Sequence, residues 1–210
     1  MKRPDRPSTP TPGLVLASAS PRRREILAAA DVRFDVHPSD VEERTRPDEA
    51  PEDLARRLAI EKALDVARRF DIDPPRPVLG ADTIVVAEGD TVLGKPRDEE
   101  HAVQLLERLM GRTHRVMTGI ALVASGGREI GSEVVTSEVE MRPATREELV
   151  EYVAVGESLD KAGGYALQGE GRRFIVSVKG SETNVIGLPI DETLALLARF
   201  EGDVGESAPR

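Results

Sequence analysis

The stretch Leu14-Val15-Leu16-Ala17-Ser18-Ala19-Ser20-Pro21-Arg22-Arg23-Arg24 decides the fold, because it sets a short apolar run directly against a helix-start signal. Leu14 to Ala17 reads as a buried strand. Ser20 is a preferred N-cap and Pro21 a preferred first helical residue, so a helix follows through Arg23 to Ala30 and ends before Asp31. The arginines then fall in its first turn, where the macrodipole is already positive and the N–H groups lack intrahelical partners. Cations there are mildly unfavourable unless an anion is bound. The helix start is therefore a candidate phosphate site, offering backbone donors, hydroxyls and guanidinium forks. The alternative is a solvated basic helix start, and the stretch alone does not choose.

Working outward, a strand near Arg33 to His37 completes a strand–helix–strand opening. Ser39 to Pro51 is acidic and polar and reads as a loop, and Pro51 then precedes a helix running to about Phe70. The apolar stripe of that helix is Leu54, Ala55, Leu58, Ala59, Ala63, Val66, Ala67 and Phe70. Lys62 breaks it, four residues after Leu58 and four before Val66, on the face that should meet the core. Asp71 to Pro77 is a proline-rich turn. Val78 to Glu88 is a strand interrupted by Gly80 and Asp82, and a hairpin through Gly89-Asp90 leads to Val92-Leu93-Gly94-Lys95-Pro96. Asp98 caps a helix ending at Gly111. Val116 to Ala124 and Glu129 to Met141 form a long hairpin around Gly126-Gly127, and Thr145 with Glu148 makes a capping box. Gly156 to Gly187 is glycine-rich, with strands near Tyr165 to Gln168 and Phe174 to Val178, and a last helix spans Pro189 to Phe200. Helices alternating with parallel-capable and hairpin strands argue a mixed-sheet α/β or α+β fold.

A chain of 210 residues has length for one ordinary domain or two closely joined lobes. The net charge of -9 repels polyanions, so any phosphate ligand needs a local basic pocket. Aromatic residues make up 3% and Trp is absent, which argues against base-stacking platforms and against nucleic acid as a partner. The absence of Cys excludes disulfides, thiol catalysis and thiolate metal sites, and suits the cytoplasm. Residues 1–13 are polar and proline-rich, without a signal peptide's apolar core, and no later segment approaches a membrane span. The expected organisation is a disordered extension over 1–13, one domain over 14–200 and a polar tail over 201–210.

Asp82 stands inside the apolar run Leu79-Gly80-Ala81-Asp82-Thr83-Ile84-Val85-Val86. A carboxylate there is costly without a partner; it serves as a proton acceptor or, beside a metal or lysine, as a fixed anion. The plain alternative is an aspartate on the solvated side of a half-buried strand. Lys62 follows the same logic with opposite sign, its alternative being a lysine that snorkels to the surface. Lys95, between Gly94 and Pro96, sits where the backbone admits a close ligand or where a turn simply exposes it. Glu42 and Glu43 offer oxygens to a hard cation, or are solvated loop residues. His37, His101 and His114 have no zinc spacing, no serine lies in a nucleophile elbow, and no P-loop or dinucleotide fingerprint is present. Cations, carboxylates and an anion-binding helix end are together the inventory for metal-assisted attack on a phosphate.

These residues resemble the Maf proteins, a family of nucleoside triphosphate pyrophosphatases. The likeness rests on Ser18-Ala19-Ser20-Pro21-Arg22-Arg23, Leu58-Ala59 leading to Glu61-Lys62-Ala63, Gly80-Ala81-Asp82-Thr83 and Leu93-Gly94-Lys95-Pro96. It continues through Asp160-Lys161-Ala162-Gly163, Tyr165-Ala166-Leu167-Gln168-Gly169 and Asn184-Val185-Ile186-Gly187-Leu188-Pro189, covering about Leu14 to Phe200. The resemblance implies an elongated mixed sheet with helices, two lobes around a cleft, and a homodimer. It implies Asp82 as proton acceptor, Ser20, Arg22, Arg23, Lys62 and Lys95 as triphosphate-binding residues, and Glu43 with Asp82 around Mg²⁺ or Mn²⁺. The implied reaction is hydrolysis between the α and β phosphates. At Arg22, Thr83 and Gln168 the chain is similar to a branch selective for dTTP and UTP and departs from one acting on 7-methyl-GTP. Gln168 suits a pyrimidine edge, since an amide offers both a donor and an acceptor, although a glutamine at a strand end is also ordinary structure. The expected function is a cytoplasmic dTTP/UTP pyrophosphatase that removes non-standard or excess nucleotides. The other reading is a nucleotide-binding regulator of cell division with little turnover; carboxylates beside the cations favour the enzyme, because they weaken triphosphate binding unless a metal intervenes. The proline-rich start, the acidic tail and the double glycine Gly163-Gly164 depart from the family pattern.

Overall fold

The computed structural model describes residues 13–69, 76–124 and 126–206, with the side chains of 201–206 left aside. Residues 1–12 of the expected extension, most of the Asp71–Pro77 turn and residues 207–210 of the expected tail lie outside the described residues. The strands are β1 (Leu14–Leu16), β2 (Phe34–Val36), β3 (Pro77–Ala87), β4 (Thr91–Leu93), β5 (Thr113–Ala124), β6 (Glu129–Met141) and β7 (Ile175–Lys179). The helices are α1 (Pro21–Ala29), α2 (Pro51–Arg69), α3 (Glu99–Glu107), α4 (Arg146–Val153), α5 (Glu182–Ile186) and α6 (Ile190–Glu206). The strands form one seven-stranded sheet in the order β2-β1-β3-β5-β6-β7, with β4 paired to β3 off this path. β1 runs parallel to β2 and β3, as the strand–helix–strand opening requires; the remaining pairings are antiparallel. The sheet is mixed, and helices flank it.

Length explains how one sheet makes two lobes. β3, β5 and β6 have 11, 12 and 13 residues, about twice the usual strand, and reach about 40 Å at the usual rise per residue. One face of these strands therefore carries two cores in succession. At one end Leu79, Ala81, Ile120 and Leu122 pack with Leu27 of α1 and Leu196 of α6. At the other, Val85, Val116, Val139 and Met141 pack with Leu106 of α3 and Leu149 and Tyr152 of α4. Between them the cross-strand pair Thr83 and Thr118 joins through its hydroxyls at 2.9 Å, a polar step that separates the two apolar clusters.

The alternate residues of β3 face α2. Val78 meets Ala63 and Val66, and Ile84 and Val86 meet Leu54, Ala55 and Leu58. Gly80 and Asp82 do not interrupt this strand, contrary to the expectation from sequence: β3 pairs with β5 without a break from Pro77 to Val86. The glycine serves close packing instead. A Cβ at Gly80 would lie 2.0 Å from the Ala59 carbonyl oxygen, and one at Gly119 would lie 2.1 Å from that of Ala55. Glycines on two adjacent strands thus let α2 sit against the sheet, which carries Lys62 down to Asp82.

Three further differences have local causes. Tyr165 to Gln168 is not a strand but lies between the 3₁₀ turns Ala162–Gly164 and Glu170–Phe174. Gly163, Gly164 and Gly169 around it have φ of 69°, 76° and 85°, which no ladder accommodates. α6 runs beyond Phe200 to Glu206, a stretch in which no proline stops it. α5 was not expected; Ser181 caps it by accepting from the Asn184 N–H at 3.2 Å. The Asp98 cap and the Thr145/Glu148 capping box are both present. Among the described residues, no helix is long and apolar enough to cross a membrane.

Candidate active site

The topology leaves a gap beside Asp82. β1 pairs with β3 only at Val78 and Leu79, and β4 takes up the same edge only from Val85 to Ala87. No described strand covers that edge from Ala81 to Ile84. α1 starts just after β1, and Lys95 just follows β4, so both basic segments flank the gap, a common position for a ligand in α/β sheets. A cleft of about 390 Å³ opens there, lined by residues that include Ser20, Arg22, Arg23, Glu43, Lys62, Asp82, Thr83, Lys95 and Gln168. Most of the residues singled out from sequence thus converge on one cleft; Glu42, which carries an ion pair with Arg44, and Arg24 do not line it.

Lys62 and Asp82 do not behave as surface residues. Asp82 is 4% exposed and Lys62 7%. The Lys62 Nζ donates to Asp82 Oδ1 and to Glu43 Oε1, each at 2.6 Å. Burial of either charge alone would be costly, and the pairing is what makes both tolerable. Glu43 comes from the polar loop before α2 and also faces Lys95, its Oε2 lying 3.7 Å from that ammonium. Desolvation pushes the Glu43 carboxyl up, yet the charge and hydrogen bond of Lys62, with Lys95 and Arg23, outweigh it and hold the group below the ordinary range.

The helix start is organised differently from the expected cap. Ser20 occupies the N-cap position, but its side chain makes no capping bond; its N–H donates to Ser18 Oγ at 3.3 Å. Ser20 is instead one of the residues that line the cleft. Arg23 is buried and donates to the Gly187 carbonyl at 2.8 Å, Ser18 Oγ at 2.9 Å and Thr83 Oγ1 at 3.1 Å. Burial lowers its pKa, opposed by the charges of Asp82 and Glu43. Arg22 is half-buried and reaches across the cleft to Asp160 at 3.2 Å. Arg24 is exposed.

The opposite wall comes from the glycine-rich segment. Lys161 donates to Asp160 Oδ1 and to the Glu157 carbonyl, both at 2.6 Å, and the Gly163 N–H donates to the Gly94 carbonyl at 3.1 Å. The loop is thereby fastened to the turn that carries Lys95. Tyr165 is pinned from below by His114, whose Nε2 is 2.7 Å from the phenol oxygen. Burial pushes the Tyr165 phenol up and pulls the His114 imidazole down to about 4, so the histidine is neutral in the folded protein at pH 7. Gln168 is exposed at the rim of the cleft. Thr83, by contrast, is tied to Arg23 and Thr118, with its hydroxyl also 3.3 Å from the Gly187 carbonyl. Sequence reasoning gave no role to Asp160, Lys161 or His114; the first two sat in a quoted motif, while His114 carried no spacing signal at all.

Among the described residues, no group of three or more His, Asp or Glu side chains is arranged to hold a metal ion. Asp82 and Glu43 nevertheless fit a hard divalent cation. Both carboxylates reach one ammonium nitrogen, and a magnesium ion commonly takes one or two carboxylates and completes its shell with substrate phosphates and water.

The fold and its cleft define a class, the mixed-sheet α/β proteins with a charged cleft at an open strand edge. Within that class the chain belongs to the Maf-like protein family, whose model matches residues 13–200. The dTTP/UTP pyrophosphatase of Myxococcus xanthus (strain DK1622) is 51% identical over 186 residues, covering 89% of this chain and 91% of that protein. Those of Anaeromyxobacter dehalogenans (strain 2CP-C) and Escherichia coli O157:H7 are 48% and 47% identical, over 90% and 89% of this chain and 94% and 92% of theirs. A solved nucleoside-triphosphatase / dITP/XTP pyrophosphatase from Mycobacterium abscessus aligns over 94% of this chain and 98% of that one, at 13% identity and a TM-score of 0.43.

Proposed function

We propose that this chain is a nucleoside triphosphate pyrophosphatase that hydrolyses dTTP and UTP to the monophosphate and pyrophosphate. The observation that carries the reading is the buried Asp82, paired with Lys62 and facing a cleft whose other walls present Arg22, Lys95 and a helix N-terminus. Curated relatives named for this activity match along nine-tenths of the chain. A regulator of cell division that only bound nucleotide would gain nothing from Asp82 and Glu43 beside its cations.

Ser20, Arg22, Arg23, Lys62 and Lys95 bind the triphosphate, with Arg22 exchanging Asp160 for a phosphate oxygen. Arg23 holds the helix start against Gly187 and Thr83 and adds its positive field. Asp82 and Glu43 would hold Mg²⁺ or Mn²⁺, which would supply charge neutralisation at the phosphates. Asp82 takes the proton from a water whose oxygen attacks the α-phosphorus, while the α–β bridging bond breaks and its electron pair leaves with pyrophosphate. The other role for Asp82 is that of a ligand alone. Arg22, Thr83 and Gln168 set nucleotide preference, Gln168 through the base and Thr83 through Arg23.

The wider reading places one catalytic domain at 14–200, after a polar, proline-rich start and before a polar end. It makes the protein a cytoplasmic homodimer, without nucleic-acid or membrane partners, that clears non-standard or excess nucleotides. The test is incubation with a panel of nucleoside triphosphates and Mg²⁺ or Mn²⁺, with products resolved by chromatography. Pyrophosphate and monophosphate from dTTP and UTP, abolished by EDTA, are expected. Orthophosphate as the product, or no turnover, would refute the reading.

A further inference from the structure

The segment that carries Gln168 is held from below on both sides of that residue. Glu157, in the loop after α4, points its carboxylate at the backbone beyond Gln168. Its Oε1 accepts from the Glu170 N–H at 3.1 Å and its Oε2 from the Gly171 N–H at 3.4 Å. Before Gln168, the Ala166 N–H donates to the Tyr152 hydroxyl at 3.3 Å. Gln168 is therefore suspended between two fixed points.

The glycines on either side show that the clamp is a built feature. Gly169 has φ of 85°, and a Cβ there would lie 2.4 Å from Glu157 Oε1. A Cβ at Gly171 would lie 2.5 Å from the Ala166 carbonyl oxygen and 2.8 Å from the Tyr152 hydroxyl. A side chain at 169 would displace the Glu157 carboxylate, and one at 171 would meet the Ala166 backbone. The same segment also faces the phosphate side: the Glu157 carbonyl accepts from Lys161, which binds Asp160, which binds Arg22.

From this we infer that Glu157 is a positioning residue for nucleotide selection: by holding the Glu170 and Gly171 amides it fixes where the Gln168 amide meets the base. The inference rests on the base-selecting role proposed above for Gln168. A carboxylate suits the task because two amide donors need two acceptor oxygens, and a charged acceptor makes the stronger bonds. Glu157 touches no substrate; it acts through the loop.

The test compares kcat/KM for dTTP and UTP with that for CTP and GTP in purified full-length protein. Glu157→Ala should reduce the preference for dTTP and UTP about tenfold, through KM for those two nucleotides, with kcat for CTP unchanged. Glu157→Gln keeps one acceptor oxygen and should fall between wild type and Glu157→Ala. Gly169→Ala, which expels the carboxylate from the other side, should reproduce the loss. In a Gln168→Ala background Glu157→Ala should change the preference no further. An equal fall in kcat/KM for every nucleotide, with the ratio intact, would show that Glu157 is only structural and overturn the inference. A Gln168→Ala variant with unaltered preference would instead remove the base-selecting reading itself, and the inference with it. Should Glu157→Ala fail to fold, the Glu157→Gln ratio decides by the same criterion.

Discussion

Asp82 and Lys62 stand on a long central strand and on the longest described helix, both buried, with their charges balanced against each other at 2.6 Å. Gln168, across the cleft, stands exposed on a loop between two 3₁₀ turns and is placed by backbone amides that Glu157 and Tyr152 hold. One wall is fixed by apolar packing that α2 and the sheet would need in any case. The other is fixed by a few hydrogen bonds and by glycines that let them form. Under the proposed function, the tasks divide along this difference. Proton transfer and charge balance need groups held to a fraction of an ångström and sit where the core supports them. Selection among bases needs a wall that substitution can alter without disturbing that core.

The sharpest way to break this contrast is on the sheet wall. Asp82→Asn keeps a side-chain oxygen for Lys62 and should fold normally, yet turnover of dTTP should fall about 10³-fold or more. Near-normal kcat with an unchanged melting curve would deny Asp82 its place in the chemistry. Lys62→Met leaves Asp82 buried and unpaired and should cost about 3–5 kcal/mol in denaturant unfolding. Adding Asp82→Asn to it should recover most of that loss, and failure to recover would mean that the pair is not coupled as its geometry says.

His114 joins the two walls, since it lies on β5 and supports Tyr165 of the loop. Its pKa is depressed from 6.5 to about 4, so the unfolded chain binds the extra proton first. Stability is full above pH 6.5 and falls as pH drops toward 4, by about 3 kcal/mol over that window. Unfolding of His114→Gln should lose this part of the pH dependence; parallel wild-type and variant profiles would show that the imidazole is not buried neutral. The smallest effect belongs to the loop: Gln168→Glu should impair dTTP and UTP about tenfold more than other nucleotides. A uniform loss across the panel would erase the division between the walls.

Much of this was legible in the chain. Ser20-Pro21 marked the start of α1, Gly89-Asp90 the turn into β4, and Thr145 with Glu148 the capping box, because each is local backbone chemistry that few neighbours can override. Lys62 and Asp82 stood out because each breaks an apolar pattern, and a pattern break at a core position calls for a partner. The partnership itself was not visible, since nothing in a linear spacing of twenty residues says that one helix will lie close enough to one strand. Nor was the form of Tyr165 to Gln168 visible: its residues read as a strand, while the positive φ of nearby glycines and the pull of Tyr152 and Glu157 make it a loop.

The sequence by itself determined the family, the order of most elements and the main chemical types gathered in the cleft, because motifs, caps and periodicity are properties of neighbours along the chain. Tertiary structure alone decided what those groups do to one another. It gave Lys62 to the carboxylates, spent Arg23 on Gly187 and Thr83, turned Arg22 toward Asp160 and tied the backbone just beyond Gln168 to Glu157. The reason is distance. A charge or a donor is matched to whatever packing brings within about 3 Å, and packing is settled by the close approach of α2 to Gly80 and Gly119 and by the gap that two short strands leave along the edge of β3.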